Sequence, residues 1–369
     1  MEIINAIKQR RINRLYLPVI IISSIVFFIP NLGLVNLFDW DEINFAESAR
    51  EMIVTGNYHQ VQINFEPFWE KPPLFFWLQV VSMKVFGINE FAARLPNAIF
   101  GCITLITFFI IGKKYKNPTF GFLWAMAYLG SFLPHLYFKS GIIDPVFNYF
   151  IFLGIYFMYL VVERPQKSAY QNILLSGIFI GLSNLTKGPV GLLLFLLTFL
   201  IYFISTRFKN FPGIKKILLF IFCFSAVSFF WFGQEVINNG FTFFKEFIIY
   251  QADLFLHPVA GHGQPFYYHF IVVLLGCFPI SILGLPFLFR SKIESSQLIK
   301  IMRILFWTVM ILFSITTTKI VHYSSMTYVP LSFLAATYVH HLVEKNKKAN
   351  SYIISVSYTH LTLPTKRIV

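Results

Sequence analysis

Eight carboxylates crowd the stretch between residues 37 and 91: Asp39, Asp41, Glu42, Glu47, Glu51, Glu66, Glu70 and Glu90. Within it, residues 38–52 read FDWDEINFAESAREM, and Ile43, Ala46, Ile53 and Val54 fall near one face of a helix. Asp39 and Glu42 make a capping-box pattern at its start, and acids there favour the helix dipole. One cap needs only one acid. Asp41 is left over at the membrane edge, where a carboxylate can take a proton from an acceptor hydroxyl. Further on, Glu70-Lys71-Pro72-Pro73 presents a carboxylate and an ammonium on a backbone that two prolines hold extended. Beside Trp69 and Trp77, Lys71 suits either a headgroup-level anchor in an aromatic belt or a phosphate ligand.

Three more corners carry charge at the end of an apolar run: Asp144-Pro145, Lys187-Gly188-Pro189, and Lys319-Ile-Val-His322-Tyr323. Each alone can snorkel. Together with Lys71 they put one acid and three lysines on one face, a set that suits a lipid-linked phosphate, or else anionic headgroups and salt-bridged corners. Burying such charge costs roughly 2.5–3.5 kcal/mol on insertion scales, which makes it a functional hypothesis by default. His257 and His262 flank a Gly/Pro-rich segment. They could hold a metal ion with a carboxylate such as Glu70, or be simply solvated.

The elements that position these groups follow from composition. Only 12% of the 369 residues are charged and 56% are hydrophobic, against roughly 25% charged in soluble domains. Mean hydropathy is +0.66. An ordinary soluble enzyme and a disordered chain are both excluded. An all-α polytopic membrane protein is expected. Ten apolar runs lie near 15–37, 91–112, 119–138, 145–162, 171–186, 189–205, 217–233, 267–289, 301–317 and 324–343. The short run 73–86 contains Lys84 and is read as an interfacial helix. With that parity, the segments on one side hold 20 of the 30 Lys+Arg but only four of the 16 acids. The positive-inside rule makes that side cytoplasmic, together with the N-terminus. The first outer loop is then 38–90 and the second 234–266. Net charge +14 finds its partner in anionic lipid headgroups. The basic residues form no single stripe, so nucleic-acid binding is excluded. Cys102, Cys223 and Cys277 lie in apolar runs and read as packing residues.

Six motifs in order resemble those of the GT-C membrane glycosyltransferases of the ArnT-like and protein O-mannosyltransferase-like type. They are Asp41-Glu42 leading into Phe45-Ala46-Glu47-x-x-Arg50-Glu51-Met52, Glu70-Lys71-Pro72, Asp144-Pro145, Thr186-Lys187-Gly188, His262-x-x-Pro265-Phe-Tyr-Tyr, and Lys319-x-x-His322-Tyr323. The resemblance implies a GT-C bundle of about ten transmembrane helices over 1–343, with interfacial helices in the first periplasmic loop. A cytoplasmic basic segment at 344–356 follows, then 357–369, which reads as a non-native tail on a C-terminally truncated chain. It implies a bacterial inner-membrane enzyme that takes a sugar from a polyprenyl-phosphate donor on the periplasmic side and gives it to a lipid, glycan or protein acceptor. Catalytic roles would fall to Asp41 and Glu42, and donor phosphate binding to Lys71, Lys187 and Lys319. Asp144, Tyr323 and Asn44 would line the cavity, and Glu70 with His262 could hold a divalent metal ion. No nucleotide or redox cofactor is implied. One departure is Asn44, where the family carries a phosphate-holding arginine. The rival readings are a transporter or flippase for a lipid-linked or anionic substrate, an inactive transferase remnant, and a different carrier-lipid enzyme.

Overall fold

The computed structural model describes residues 2–38, 40–164, 168–257, 263–289 and 296–345. The chain folds almost entirely into helices. α1 (Glu2–Phe28) leads to the first outer loop. There α2 (Trp40–Thr55), the hairpin β1 (Gln62–Ile63) and β2 (Glu66–Pro67), and α3 (Leu74–Phe86) follow in turn. The bundle continues with α4 (Glu90–Tyr115), α5 (Pro118–Leu129), α6 (Phe132–Tyr137), α7 (Asp144–Glu163), α8 (Ala169–Lys187), α9 (Val190–Ser205) and α10 (Ile214–Leu256). It closes with α11 (Tyr268–Gly276), α12 (Ile280–Phe289), α13 (Gln297–Ile315), a 3-10 turn (Val321–Thr327) and α14 (Tyr328–Glu344).

The ten expected apolar runs are largely helical, but not always as one rod, and the first leaves helix after Phe28. The run 119–138 breaks at Gly130-Ser131 into α5 and α6, and 267–289 bends by 114° between α11 and α12. Four described helices are long and apolar enough to cross a membrane on length and composition alone, or five if that bent pair is one span. Most of the segment 234–266 is helical. α10 runs through it to Leu256, and only Gly240 leaves helical geometry, at φ 66° and ψ −165°. The segment 346–369, which includes the expected tail, lies outside the described residues.

The first outer loop is tied down piece by piece. α2 buries Glu42, Phe45, Ala46, Ala49 and Met52, the i, i+3, i+4 rhythm of one helical face. Asn64 and Phe65 between the two strands both have positive φ, at 57° and 63°, as a two-residue hairpin turn of this class requires. That geometry is unfavourable for Phe65. Its N–H is secured by Glu51 Oε2 at 2.9 Å. The expected interfacial helix over 73–86 is α3, and Trp77 Nε1 donates to Tyr58 O at 2.6 Å. Trp231 of α10 donates in the same way to His59 O at 2.8 Å. A small core of Leu185, Trp231, Phe243 and Phe247, with Trp69 and Trp77 against it, joins the loop to α8 and both halves of α10.

Candidate active site

Four chain segments that are distant in sequence meet at one cleft. Lys71 from the strand-to-α3 linker, Asp144 from the first turn of α7 and Lys187 from the last turn of α8 line it, and Asp41, from the first turn of α2, stands beside it against His322. Local sequence explains the placement. Pro145 at the start of α7 loses no helical hydrogen bond. Asn97 of α4 holds the preceding corner with two bonds to Ser140 O and Ile142 O, each 2.6 Å. Lys187 suits the negative end of the α8 dipole. Gly188, at φ +88°, turns the chain there into α9, and a Cβ would stand 3.0 Å from Phe247 Cζ.

The charges interlock. Lys187 Nζ donates to Asp144 Oδ1 at 2.6 Å. His322 Nε2 lies 3.2 Å from Asp41 Oδ2 and 3.6 Å from Asp144 Oδ2. Its position is that of an imidazole between two carboxylates, with the ring not aligned for a hydrogen bond to either. Tyr323 stacks its ring edge on His322 and lies under the Lys187 ammonium at 4.9 Å. Lys71 Nζ reaches Tyr250 Oη at 3.5 Å. Burial alone would raise the Asp41 carboxyl. The contact and charge of His322, with the charges of Lys71 and Lys187, outweigh it and hold the group at about 2. Lys71 keeps part of its surface open. Burial of its ammonium lowers its pKa, while Glu70, Asp41 and Asp144 pull it back up.

The cleft encloses about 620 Å³, its open mouth included. Lys71, Asp144, Lys187, Gln251 and Tyr323 supply polar walls, and Phe147, Val190, Leu194, Phe313 and Met326 an apolar one. Cations beside an apolar slot can hold a phosphate whose substituent runs into hydrocarbon.

The other expected residues sit differently. Glu42 is fully buried and does not line the cleft. Arg94 Nε and Nη2 each meet one of its oxygens at 2.8 Å, and Phe38 N–H and Gly141 N–H donate to the same pair. Its contacts are those of a structural clamp. Lys319 is buried and gives its ammonium to Thr316 O, beside the cleft without lining it. Asn44 is half-exposed and does not line it either. The Glu70 carboxylate neighbours the Tyr250 hydroxyl. Asp39 and His262 lie outside the described residues. No group of three or more His, Cys, Asp or Glu among the described residues could hold a metal ion. Glu70 alone does not make such a site. Sequence reasoning quoted His322 in a motif but gave it no role. The signal was an ionisable side chain three residues from a lysine at the end of an apolar run.

Known proteins share this architecture. The family described as dolichyl-phosphate-mannose-protein mannosyltransferase matches residues 70–231. The undecaprenyl phosphate-alpha-4-amino-4-deoxy-L-arabinose arabinosyl transferase 1 of Proteus mirabilis is 29% identical over 345 residues, covering 89% of this chain and 61% of that one. An uncharacterised Aquifex aeolicus protein is 28% identical over 319 residues, with 86% and 71% covered. Among solved structures, ArnT from Cupriavidus metallidurans bound to undecaprenyl phosphate aligns with TM-score 0.79 at 20% identity, over 88% of this chain and 60% of that one. The Archaeoglobus fulgidus oligosaccharyltransferase, solved in complex with zinc and sulfate, aligns with TM-score 0.53 at 11% identity, over 94% and 51%. The chain spans about three fifths of the length of the arabinosyl transferase and of ArnT.

Proposed function

We propose that this chain, ArnT-like in sequence and GT-C in fold, is a glycosyltransferase. In this reading it moves a sugar from a polyprenyl-phosphate donor to an acceptor at the Asp41 cleft. The observation that carries the reading is the cleft itself. Lys71 and Lys187 stand beside an apolar wall, and two carboxylates, Asp41 and Asp144, share one imidazole. The donor's phosphate sits at Lys71 and Lys187 and its prenyl chain lies along the wall of Phe147, Leu194 and Phe313. In a single inverting displacement, the sugar C1–O(phosphate) bond breaks as the acceptor oxygen bonds to C1 from the opposite side. The two ammonium groups stabilise the charge that collects on the departing phosphate. Asp144 holds Lys187 in place for this step.

The acceptor follows from Asp41. A carboxylate held near 2 is ionised at neutral pH but is a weak base toward a hydroxyl. A bound donor phosphate would neutralise Lys71 and Lys187 and add negative charge near Asp41, which raises its pKa toward a more useful range. An acceptor already ionised, such as a glycolipid phosphate, needs no base at all, and Asp41 then orients it through His322. The site would lie on the periplasmic side of a bacterial inner membrane. The charge asymmetry between the loops supports that orientation. A transporter would keep its site near the middle of the bundle, whereas Asp144 and Lys187 mark helix ends.

The test is native mass spectrometry of the purified chain with undecaprenyl phosphate, beside Lys71→Met, followed by a transfer assay with sugar-loaded carrier. Binding by the wild type that Lys71→Met loses supports the reading. Equal binding by both, or none by either, refutes the assigned phosphate site.

A further inference from the structure

A second cavity opens at the far end of the bundle from the cleft. It encloses about 1290 Å³, mouth included, where α9 ends and α13 begins. The same two helices reach the cleft at their other ends, through Val190, Leu194 and Phe313. Along α9, Leu194 of the cleft and Tyr202 of the second cavity stand about 12 Å apart. Arg207, Lys209, Lys300 and Arg303 line the second cavity, and no described Asp or Glu does.

None of the described ion pairs uses Arg207, Lys209 or Lys300. Lys300 gives a 3.3 Å bond to Ser205 O and leans on the Tyr202 ring. The loop that carries Arg207 and Lys209 is held in an unusual shape. Arg207, Phe208 and Asn210 have φ of 52°, 57° and 62°, a region that non-glycine residues rarely occupy. The adjoining surface is apolar and open. Leu200, Ile204, Phe208 and Phe211 are between 45% and 59% exposed. A ligand with its head in the cavity can keep hydrocarbon chains on that surface.

We propose that this cavity binds the phosphate group of an anionic membrane lipid. An arginine fork and two lysine point charges match phosphate oxygens, and the apolar wall favours a lipid over a free ion. General attraction of a basic surface to anionic lipid needs no cavity and would be spread over every basic loop.

The test uses the purified, delipidated chain in detergent, with dioleoyl phosphatidylglycerol or dioleoyl phosphatidylcholine added, read by native mass spectrometry. Arg207→Gln/Lys300→Gln removes two cavity charges. Lys113→Gln/Lys215→Gln removes the same charge from exposed positions outside it. Phosphatidylglycerol should bind the wild type and the second variant alike, and the cavity variant roughly 30-fold more weakly, with an unchanged melting temperature. Phosphatidylcholine should bind all three weakly. Equal phosphatidylglycerol binding by the two variants would overturn the proposal. So would inorganic phosphate that binds the cavity as tightly as the lipid does, because the site would then take the free ion.

Discussion

Replacing Glu42 with alanine separates a structural role from a chemical one. Both members of the Glu42–Arg94 pair are buried, at 0% and 3% exposure. Besides the two bonds to Glu42, Arg94 donates to Leu32 O and Val35 O at 2.7 Å each and to Asn36 O at 3.0 Å. The guanidinium is thus caged by the end of the first outer turn, and Glu42→Ala leaves it charged with no anion beside it. Removing one partner of a buried pair costs about 3–5 kcal/mol. At about 2 °C per kcal/mol for a large chain, that lowers the melting temperature by about 6–10 °C. The assay is thermal unfolding in detergent, followed by the fraction that remains monodisperse. Glu42→Met/Arg94→Met removes both charges and fills similar volume, so it should recover most of the loss and be far from the sum of the single variants. Asp41→Asn should lose transfer while still folded. A Glu42→Ala variant that melts within about 1 °C of wild type yet transfers nothing would refute the clamp and return Glu42 to the chemistry.

Three further outcomes follow from the same geometry. Lys187→Met should lower turnover by about 10²–10³-fold, and adding Asp144→Asn should change little more, since Asp144 acts through Lys187; fully additive losses in a kinetic cycle would contradict that coupling. Asp41 is lowered from 3.8 to about 2 by His322, Lys71 and Lys187 against burial. Its ionised contacts therefore stabilise the fold fully above about pH 4 and are lost only as pH falls through about 2. The melting difference between wild type and Asp41→Asn should stay flat from about pH 8 to 5, and a difference that vanishes within that window would disprove the assignment. Gly188→Val should destabilise the α8–α9 turn, because φ is +88° and Phe247 stands 3.0 Å from any Cβ; a melt identical to wild type would show that the turn relaxes freely.

Much of the site was legible because charge is conspicuous in this composition. Asp41, Lys71, Asp144 and Lys187 each stand beside apolar runs, and the structure sets the last three on the wall of one cleft with Asp41 beside it against His322. The helix over 73–86 was legible from its prolines and length, and it is α3. What was missed depended on partners. A capping-box pattern made Glu42 look like a local feature. Its main partner, Arg94, is 52 residues away in α4, and only three-dimensional packing pairs them. An arginine at the start of an apolar run was the available signal. The stretch 234–266 falls between two apolar runs, and Asn238-Asn239-Gly240 interrupts its pattern. The Phe/Ile-rich residues after it resume a helical rhythm, and Phe243 and Phe247 bury against Trp231. The kink absorbs the interruption without ending the element.

The meeting of Asp41 with His322 also sets a schedule for the newborn protein. The two residues are about 280 positions apart. At about 5–20 residues per second of translation, roughly 14–56 s pass between the emergence of the first and of the second. During that interval the ribosome has released the lysines of the cleft but not the imidazole that bridges its two carboxylates. Asp41 meanwhile lacks its first neutralising neighbour. The Asp41 side of the cleft is therefore made well before the imidazole that completes it, and it stands incomplete until the segment around His322 has been synthesised.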